Sequence, residues 1–515
     1  MDILIPDSWL RDFLTTEAPP KTIAKYLSLC GPSVNKMEKQ EDDYIYHIEV
    51  TTNRVDSVSI VGIAREAAAI LPRFGIKAKF KPLTPKANLE FFRQVSYLTV
   101  DLDEKLCLRF SALLIKNVHI KPSPQIIKDR LIKVGVRPIN NVVDISNYIM
   151  HELGQPIHTF DYDKIAGAKM ILRPSKEGER ITTLDGKIHT LLGSDIVIED
   201  GKGRLIDLAG IMGGENSQVD SNTKNVLLFV QNYNPLNIRR TSMSLAQRTQ
   251  AAVLFEKGLD SELVTSAIYR GVDLFSELAL GKPQERILDI YPNPYRKRRL
   301  LTTLKYIEEK LGINIEKEEI KKILNSLGFE TSWTGQQLSI GIPSFRSSDI
   351  NIAEDIIEEV ARIYGYHNLP SLLMDGSLPE PTHDAPFEFE KNIKYILKGA
   401  GATEVYSYSM VAKEFTKKPA LKLINPLGRE AEFMRTTLMP SLLASARQNS
   451  GSKDPFHLFE MANVYLPKKG NLPIEKMIMA GVFANYTYRD AKGIIENLLN
   501  ELRINYRVKV EDAEN

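Results

Sequence analysis

The sequence predicts a multidomain α+β protein, and three observations carry that expectation. The chain has 515 residues, enough for three or four domains of ordinary size. Proline-bearing stretches at 284–299 and 371–386 interrupt it as linkers. The segments on either side mix helical periodicity with strand-like alternation. Hydrophobic content of 43% fits sizeable cores. A formal net charge of +2 gives no overall basic field, so any nucleic-acid contact must be local. Two cysteines, Cys30 and Cys107, form neither a metal spacing nor a disulfide framework, which fits a reducing, cytoplasmic setting. The N-terminus lacks a signal-peptide pattern, and no run approaches the roughly 20 apolar residues that span a membrane.

Residues 1–85 read as an α/β domain. Ser8-Trp9-Leu10 opens a short helix, Ile23–Leu29 forms another, Tyr44–Thr51 alternates as a strand, and Ile60–Leu71 is helical after a turn at Asn53-Arg54. Thr51, Asp56, Ser59 and Gly62–Glu66 complete a polar motif that solvated side chains on a capped helix would explain. Residues 86–283 are mixed, with helices near Pro124–Val134 and Leu236–Ser242. Two passages stand out. RPINNVVD (137–144), Asn147-Tyr148 and GQPIHTFD (154–161) contain His158, and LAGIMGGE (208–215) contains Gly210, Gly213 and Gly214. Paired glycines let a backbone approach a ligand and aim amide N–H groups at it. A tight turn and a structural histidine explain the same residues.

The stretch 284–299 carries Pro292, Pro294 and the run Arg296–Arg299, which would meet phosphate or end a solvated linker. In 300–370, Leu301–Leu311 reads as a helix capped by Gly312, and Lys317–Leu327 as a second stopped by Gly328. Phe329–Trp333 and Gln337–Ile342 form a hairpin around Thr334-Gly335. The combination is winged-helix-like. GIPSFRSSDINIAEDIIEEVARIYGY (341–366) follows. Ile352, Ile356, Val360 and Ile363 share one helical face, with Gly365 as the stop. Asp349, Asp355, Glu358 and Glu359 crowd together, and like charges three or four apart cost roughly 0.2–0.5 kcal/mol per pair. Two things would offset that: ion pairs from Arg346 and Arg362, or a hard cation such as Mg²⁺. Removing one carboxylate should then relieve repulsion. After the linker at 371–386, with Gly376, Pro379, Pro381 and Pro386, residues 387–515 read as a helix to Lys398, strands at Thr403–Met410 and Met477–Asn485, a helix at Asp490–Leu499 and a strand starting in Arg503–Val510.

Pro343–Arg346, Asp349-Ile350, Asp355, Glu358-Glu359, Arg362 and Gly365-Tyr366 resemble the signature of the β subunit of bacterial phenylalanine–tRNA ligase, and the resemblance recurs along nearly the whole chain. It implies that Asp349, Asp355, Glu358 and Glu359 bind Mg²⁺ at the contact with an α subunit. It also implies an (αβ)₂ heterotetramer that charges the tRNA for phenylalanine, with ATP and phenylalanine bound by the α subunit. Residues 86–283 would be an editing domain that hydrolyses tyrosine wrongly attached to that tRNA, with His158 and Gly210–Gly214 in its pocket. Residues 387–515 would be a class II synthetase-like antiparallel sheet without an active site, in which Arg435 and Glu460 are structural.

The chain departs from the family pattern in four places. Phe229 stands where the family has a Glu that accepts a hydrogen bond from the tyrosine hydroxyl. Gln250 and Ala252 replace a usual Glu and Ser. The stretch Lys36–Asp43 leaves no room for the inserted oligonucleotide-binding barrel. The C-terminal domain that grips the anticodon stem is missing, so the expectation is a short form or a fragment. An apolar pocket cannot read a hydroxyl strongly, which points to weak or lost tyrosine editing. A free-standing hydrolase of mischarged tRNA and a non-catalytic RNA-binding scaffold remain alternatives.

Overall fold

The computed structural model describes every residue except 88, 374–375, 381, 383, 417–418, 452–454 and 508–515. Pro381 and the Val508–Val510 end of the expected last strand therefore lie outside the described residues. Two compact units emerge, Met1–Leu372 and Leu373–Asn515.

The first unit begins with a three-stranded antiparallel sheet. Asp43–Glu49 lies between Asp2–Pro6 and Ser33–Gln40. The stretch from Lys36 thus forms the outer strand of a hairpin. Helices Asp7–Phe13, Pro20–Cys30 and Ile60–Ile70 cover the sheet with Trp9, Leu10, Ile23, Ile63 and Ala67 buried. Ser59 caps the third helix by accepting from the Gly62 amide at 3.0 Å. Gly62 is required there, because a Cβ would come within 2.1 Å of the Asp56 carbonyl oxygen. That close approach holds the Arg54–Ser57 turn against the helix.

The middle of the unit is built on two sheets. One runs in the order Glu90–Phe92, Arg286–Ile290, Cys107–Lys116, Val226–Tyr233, Ile157–Asp161. The other runs Met212–Gly213, Leu205–Leu208, Ile196–Asp200, Lys169–Pro174, Thr99–Leu102. Helices Asn141–Leu153 and Leu263–Leu278 pack on one face of the first sheet. Val226–Tyr233 is buried at every position, as a central strand covered on both faces must be. The reading of 284–299 as linker is corrected here: Arg286–Ile290 is a ladder strand between two others.

Residues 299–368 form the third part. Arg299–Thr303 pairs with Gln337–Gly341, which also pairs with Glu330–Thr334. The helix expected from Leu301 therefore starts at Leu304, because Leu300 to Thr303 bond to the hairpin. Three exposed residues of the basic run have partners on the chain's own surface: Lys297 pairs with Glu330, Arg298 donates to the Ser347 and Ile350 carbonyls, and Arg299 donates to Ser339. The acidic helix spans Ala353–Tyr364 and ends at Gly365, φ 97°. Ile356, Val360 and Ile363 are buried as expected, whereas Ile352 is 55% exposed at the N-cap.

In the second unit, Phe456–Leu466 pairs along its length with Ile474–Ala484, and Thr403–Glu404 adds on the other side. Helices Ala385–Gly399, Met439–Gln448 and Tyr488–Glu501 accompany this sheet. The strand expected over Thr403–Met410 is reduced to Thr403–Glu404 and Met410–Val411. Between them the Ser407 amide donates to the Glu460 carboxylate at 3.0 Å instead of to a neighbouring strand. Arg435 and Glu460 form a buried pair at 2.8 Å, which fits a structural role.

Candidate functional sites

The glycine loop and His158 meet between the two middle sheets. Phe229 sits directly opposite His158 in the antiparallel ladder, so both side chains point to the same side. Gly213 lies over His158, and a Cβ at Gly213 would meet His158 Nε2 at 2.5 Å. Gly210 lies against the Tyr233 ring and Gly214 against the Ile206 carbonyl. Thr249 Oγ1 donates to the Ile211 carbonyl at 2.9 Å, tying the Arg248–Ala252 passage to the same loop. All five expected pocket residues are thus brought to one inter-sheet region.

The contents of that region are apolar around Phe229. Its ring is fully buried, with centroids 4.7 Å from Phe110 and 5.6 Å from Phe160. Phe160 in turn meets His158 edge-on at 4.5 Å. Desolvation holds the His158 imidazole down to about 4, so it is neutral at pH 7 and offers no cation.

Polar groups occur further along the same strand face, and the sequence reading missed them. Gln231 Oε1 and the Tyr233 hydroxyl are buried, and neither is within hydrogen-bonding geometry of another group among the described residues. Asp207 is 3% exposed, and burial pushes its carboxyl up to about 7. The signal was present as a charged residue inside the apolar run Leu205–Leu208. A carboxyl protonated in the fold but ionised in the unfolded chain destabilises the fold as pH rises. The slope is roughly 1.4 kcal/mol per pH unit between the ordinary aspartate value and the raised one. We therefore expect Asp207→Asn to gain stability over the parent chain from pH 5 to pH 8. Urea unfolding at the two pH values measures that difference. His158 and His151, both held down to about 4, act in the opposite direction but cancel in the comparison.

The second cluster joins the N-terminal motif to the acidic helix. Four arginines (Arg54, Arg65, Arg346, Arg362) meet four carboxylates (Asp56, Glu66, Asp349, Glu359). Arg346 donates to both Glu359 oxygens at 2.7 and 2.9 Å, and Arg362 does the same at 2.6 and 2.9 Å. Arg362 also reaches Glu66 at 2.7 Å and the Cys30 carbonyl at 3.0 Å. Arg54 bridges Asp56 and Glu66. Glu66 and Glu359 are 2% and 3% exposed, so the solvated reading of the N-terminal motif does not hold. Burial by itself would raise Glu359, but Arg362 and Arg346 hold it well below the usual carboxylate range. Asp56 is held low against the same burial by Arg54 and Arg65.

The four carboxylates expected to bind magnesium, Asp349, Asp355, Glu358 and Glu359, line one cavity of about 570 Å³, and three of them have partners within the chain. A carboxylate has about four lone-pair positions, and the two arginines supply four donors to Glu359. Asp349 is occupied by Arg346 at 2.8 Å. Asp355 Oδ2 accepts from the Asn351 and Ile352 amides, closing the first turn of the helix. Glu358 is exposed. Among the described residues no three His, Cys, Asp or Glu side chains are placed to hold a metal ion. The crowding is relieved by arginine, with Arg362 choosing Glu359 over Glu358.

Comparison with known proteins matches three family profiles in succession along the chain. Residues 106–280 match the B3/4 domain, 300–366 the tRNA synthetase B5 domain, and 369–515 the phenylalanyl tRNA synthetase beta chain CLM domain. The phenylalanine–tRNA ligase β subunit of Clostridium tetani is 39% identical over 481 residues, covering 90% of this chain and 60% of that one. The β subunit from Carboxydothermus hydrogenoformans is 36% identical over 500 residues, covering 92% of this chain and 62% of that one. The chain thus spans about 60% of the length of these relatives. An N-terminal fragment of the Pyrococcus horikoshii phenylalanyl-tRNA synthetase β subunit is similar at a TM-score of 0.42 and 19% identity, covering 71% of this chain and 99% of that one. Among the described residues no helix is long and apolar enough to cross a membrane. Over the length it spans, the chain belongs to the phenylalanine–tRNA ligase β-subunit family.

Proposed function

We propose that this chain works as the non-adenylating β subunit of a phenylalanine–tRNA ligase. An α subunit would bind ATP and phenylalanine, and the pair would assemble as an (αβ)₂ heterotetramer acting on the tRNA for phenylalanine. The observation that carries the partner reading lies in the second unit. Among the described residues Ile474–Ala484 is an edge strand, and Ile474, Met477 and Met479 on it are 51%, 50% and 43% exposed. A long edge with exposed apolar side chains is a template for association unless a partner covers it.

Arg435 and Glu460 hold the second unit together and have no part in adenylation in this reading. Magnesium would be held by Asp349, Asp355, Glu358 and Glu359, which line one cavity, at the contact with the α subunit. The editing domain keeps its architecture, while Phe229 removes the acceptor that would read a tyrosine hydroxyl. The aromatic packing there also counts against a free-standing hydrolase. Co-expression with a bacterial α subunit tests the proposal. We expect the two chains to co-purify in equal amounts; an α subunit that emerges alone would contradict it.

A further inference from the structure

Where the three parts of the first unit meet, they enclose a cavity of about 580 Å³. This lies within the range of small-molecule sites. None of the residues expected to edit or to bind metal lines it. Its apolar wall comes from Phe80, Leu259 and Leu263, among others, and charged groups of both signs face it. Arg65 stacks on the Phe345 ring, with its guanidinium carbon 3.7 Å from the centroid. Only Nη2 of Arg65 is engaged, by the Asp56 carbonyl and carboxylate at 3.1 and 3.2 Å. Its Nε and Nη1 donors are uncommitted among the described residues.

Asp260 and Glu262 stand in the same cavity. Asp260 accepts from Ser344 Oγ at 2.7 Å and from the Glu262 amide at 3.0 Å. No lysine, arginine or histidine among the described residues forms an ion pair with either carboxylate. Burial raises the Asp260 carboxyl above its ordinary value, with nearby Glu262 adding to the rise and Arg65 opposing it. The cavity therefore presents carboxylates lacking a cation, a guanidinium with donors to spare, and an apolar wall.

We infer that this cavity binds a free α-amino acid with an apolar side chain. The ammonium group is met by Asp260 and Glu262, the carboxylate by Nε and Nη1 of Arg65, and the side chain by Leu259 and Leu263. A fork of two guanidinium donors matches a carboxylate, and the acidic pair supplies the opposite end. This site goes beyond the ligase reading and does not depend on it, because it uses neither an α subunit nor tRNA.

Isothermal titration of the 515-residue chain alone tests the site. The probes are L-phenylalanine, L-leucine and L-tyrosine, with 3-phenylpropionate and phenethylamine each lacking one charged end. The expected result is one site per chain for at least one amino acid, with both single-charge compounds at least tenfold weaker. Ser266 is exposed and lines the cavity, so Ser266→Trp should fill it and abolish binding without changing the circular dichroism spectrum. Asp260→Asn keeps the shape and an acceptor for Ser344, and should weaken binding at least tenfold. If Ser266→Trp does not fold, the second variant decides. The inference is overturned if no amino acid binds at millimolar concentration. Equal binding of the single-charge compounds, or parental affinity in Asp260→Asn, overturns it too.

Discussion

Replacing Glu359 by Gln is expected to destabilise the first unit by about 3–5 kcal/mol, the usual cost of breaking a buried ion pair by removing one partner. Glu359 is the point where Arg346 and Arg362 converge. Without its charge, two guanidinium groups face each other in a buried site with only Asp349 and Glu66 to balance them. If the carboxylates of the acidic helix simply repelled one another, the same change would raise stability by a few tenths of a kcal/mol, so the two accounts predict opposite signs. Urea unfolding followed by fluorescence separates them. The pH dependence has a definite direction. The carboxyl titrates below its ordinary value in the fold, so its contribution is complete above the unfolded glutamate value near ~4.3 and fades only as pH falls below that. The parent chain's advantage over Glu359→Gln should therefore be constant from pH 5 to 8 and shrink in stronger acid.

Hydrolysis of tyrosine from mischarged tRNA is expected to stay at the uncatalysed rate when this chain is paired with an α subunit. Reading one hydroxyl in a polar pocket separates substrates by roughly 10⁴–10⁵, whereas an apolar pocket does not. Phe229, Phe110 and Phe160 pack ring against ring where an acceptor would be needed. Phe229→Ala should not create the activity. It should cost about 3–5 kcal/mol in stability, the price of removing a phenylalanine from a packed core. Deacylation of Tyr-tRNA at a rate well above that of free solution would show that tyrosine is read by other groups.

Much of the local structure was legible because it depends on neighbours in sequence. The acidic helix follows from Ile356, Val360, Ile363 and a left-handed Gly365, all within one stretch. The Leu263–Leu278 helix buries Val264, Ala267, Ile268, Gly271 and Phe275; the same spacing rule identifies it once it is applied there. What sequence spacing did not reveal are pairings set by the fold. Arg362 reaches Glu66 across 296 positions, and only the fold decides that Glu359 belongs to arginines. Leu300–Thr303 has helical company in sequence but a hairpin beside it in space, and the hairpin wins. Arg286–Ile290 follows a similar rule: a short apolar run near prolines becomes a strand because two open ladders flank it. At the glycine loop, the motif residues come together with His158, while the aromatic filling and the buried Asp207 became visible only with both sheets assembled.

The most direct test of the account is the rate of Phe-tRNA formation by an α subunit with and without this chain. Added chain should switch on charging of the tRNA for phenylalanine while adding no charging of its own. A chain that leaves the α subunit as inactive as before, despite being folded and present in excess, would contradict the account.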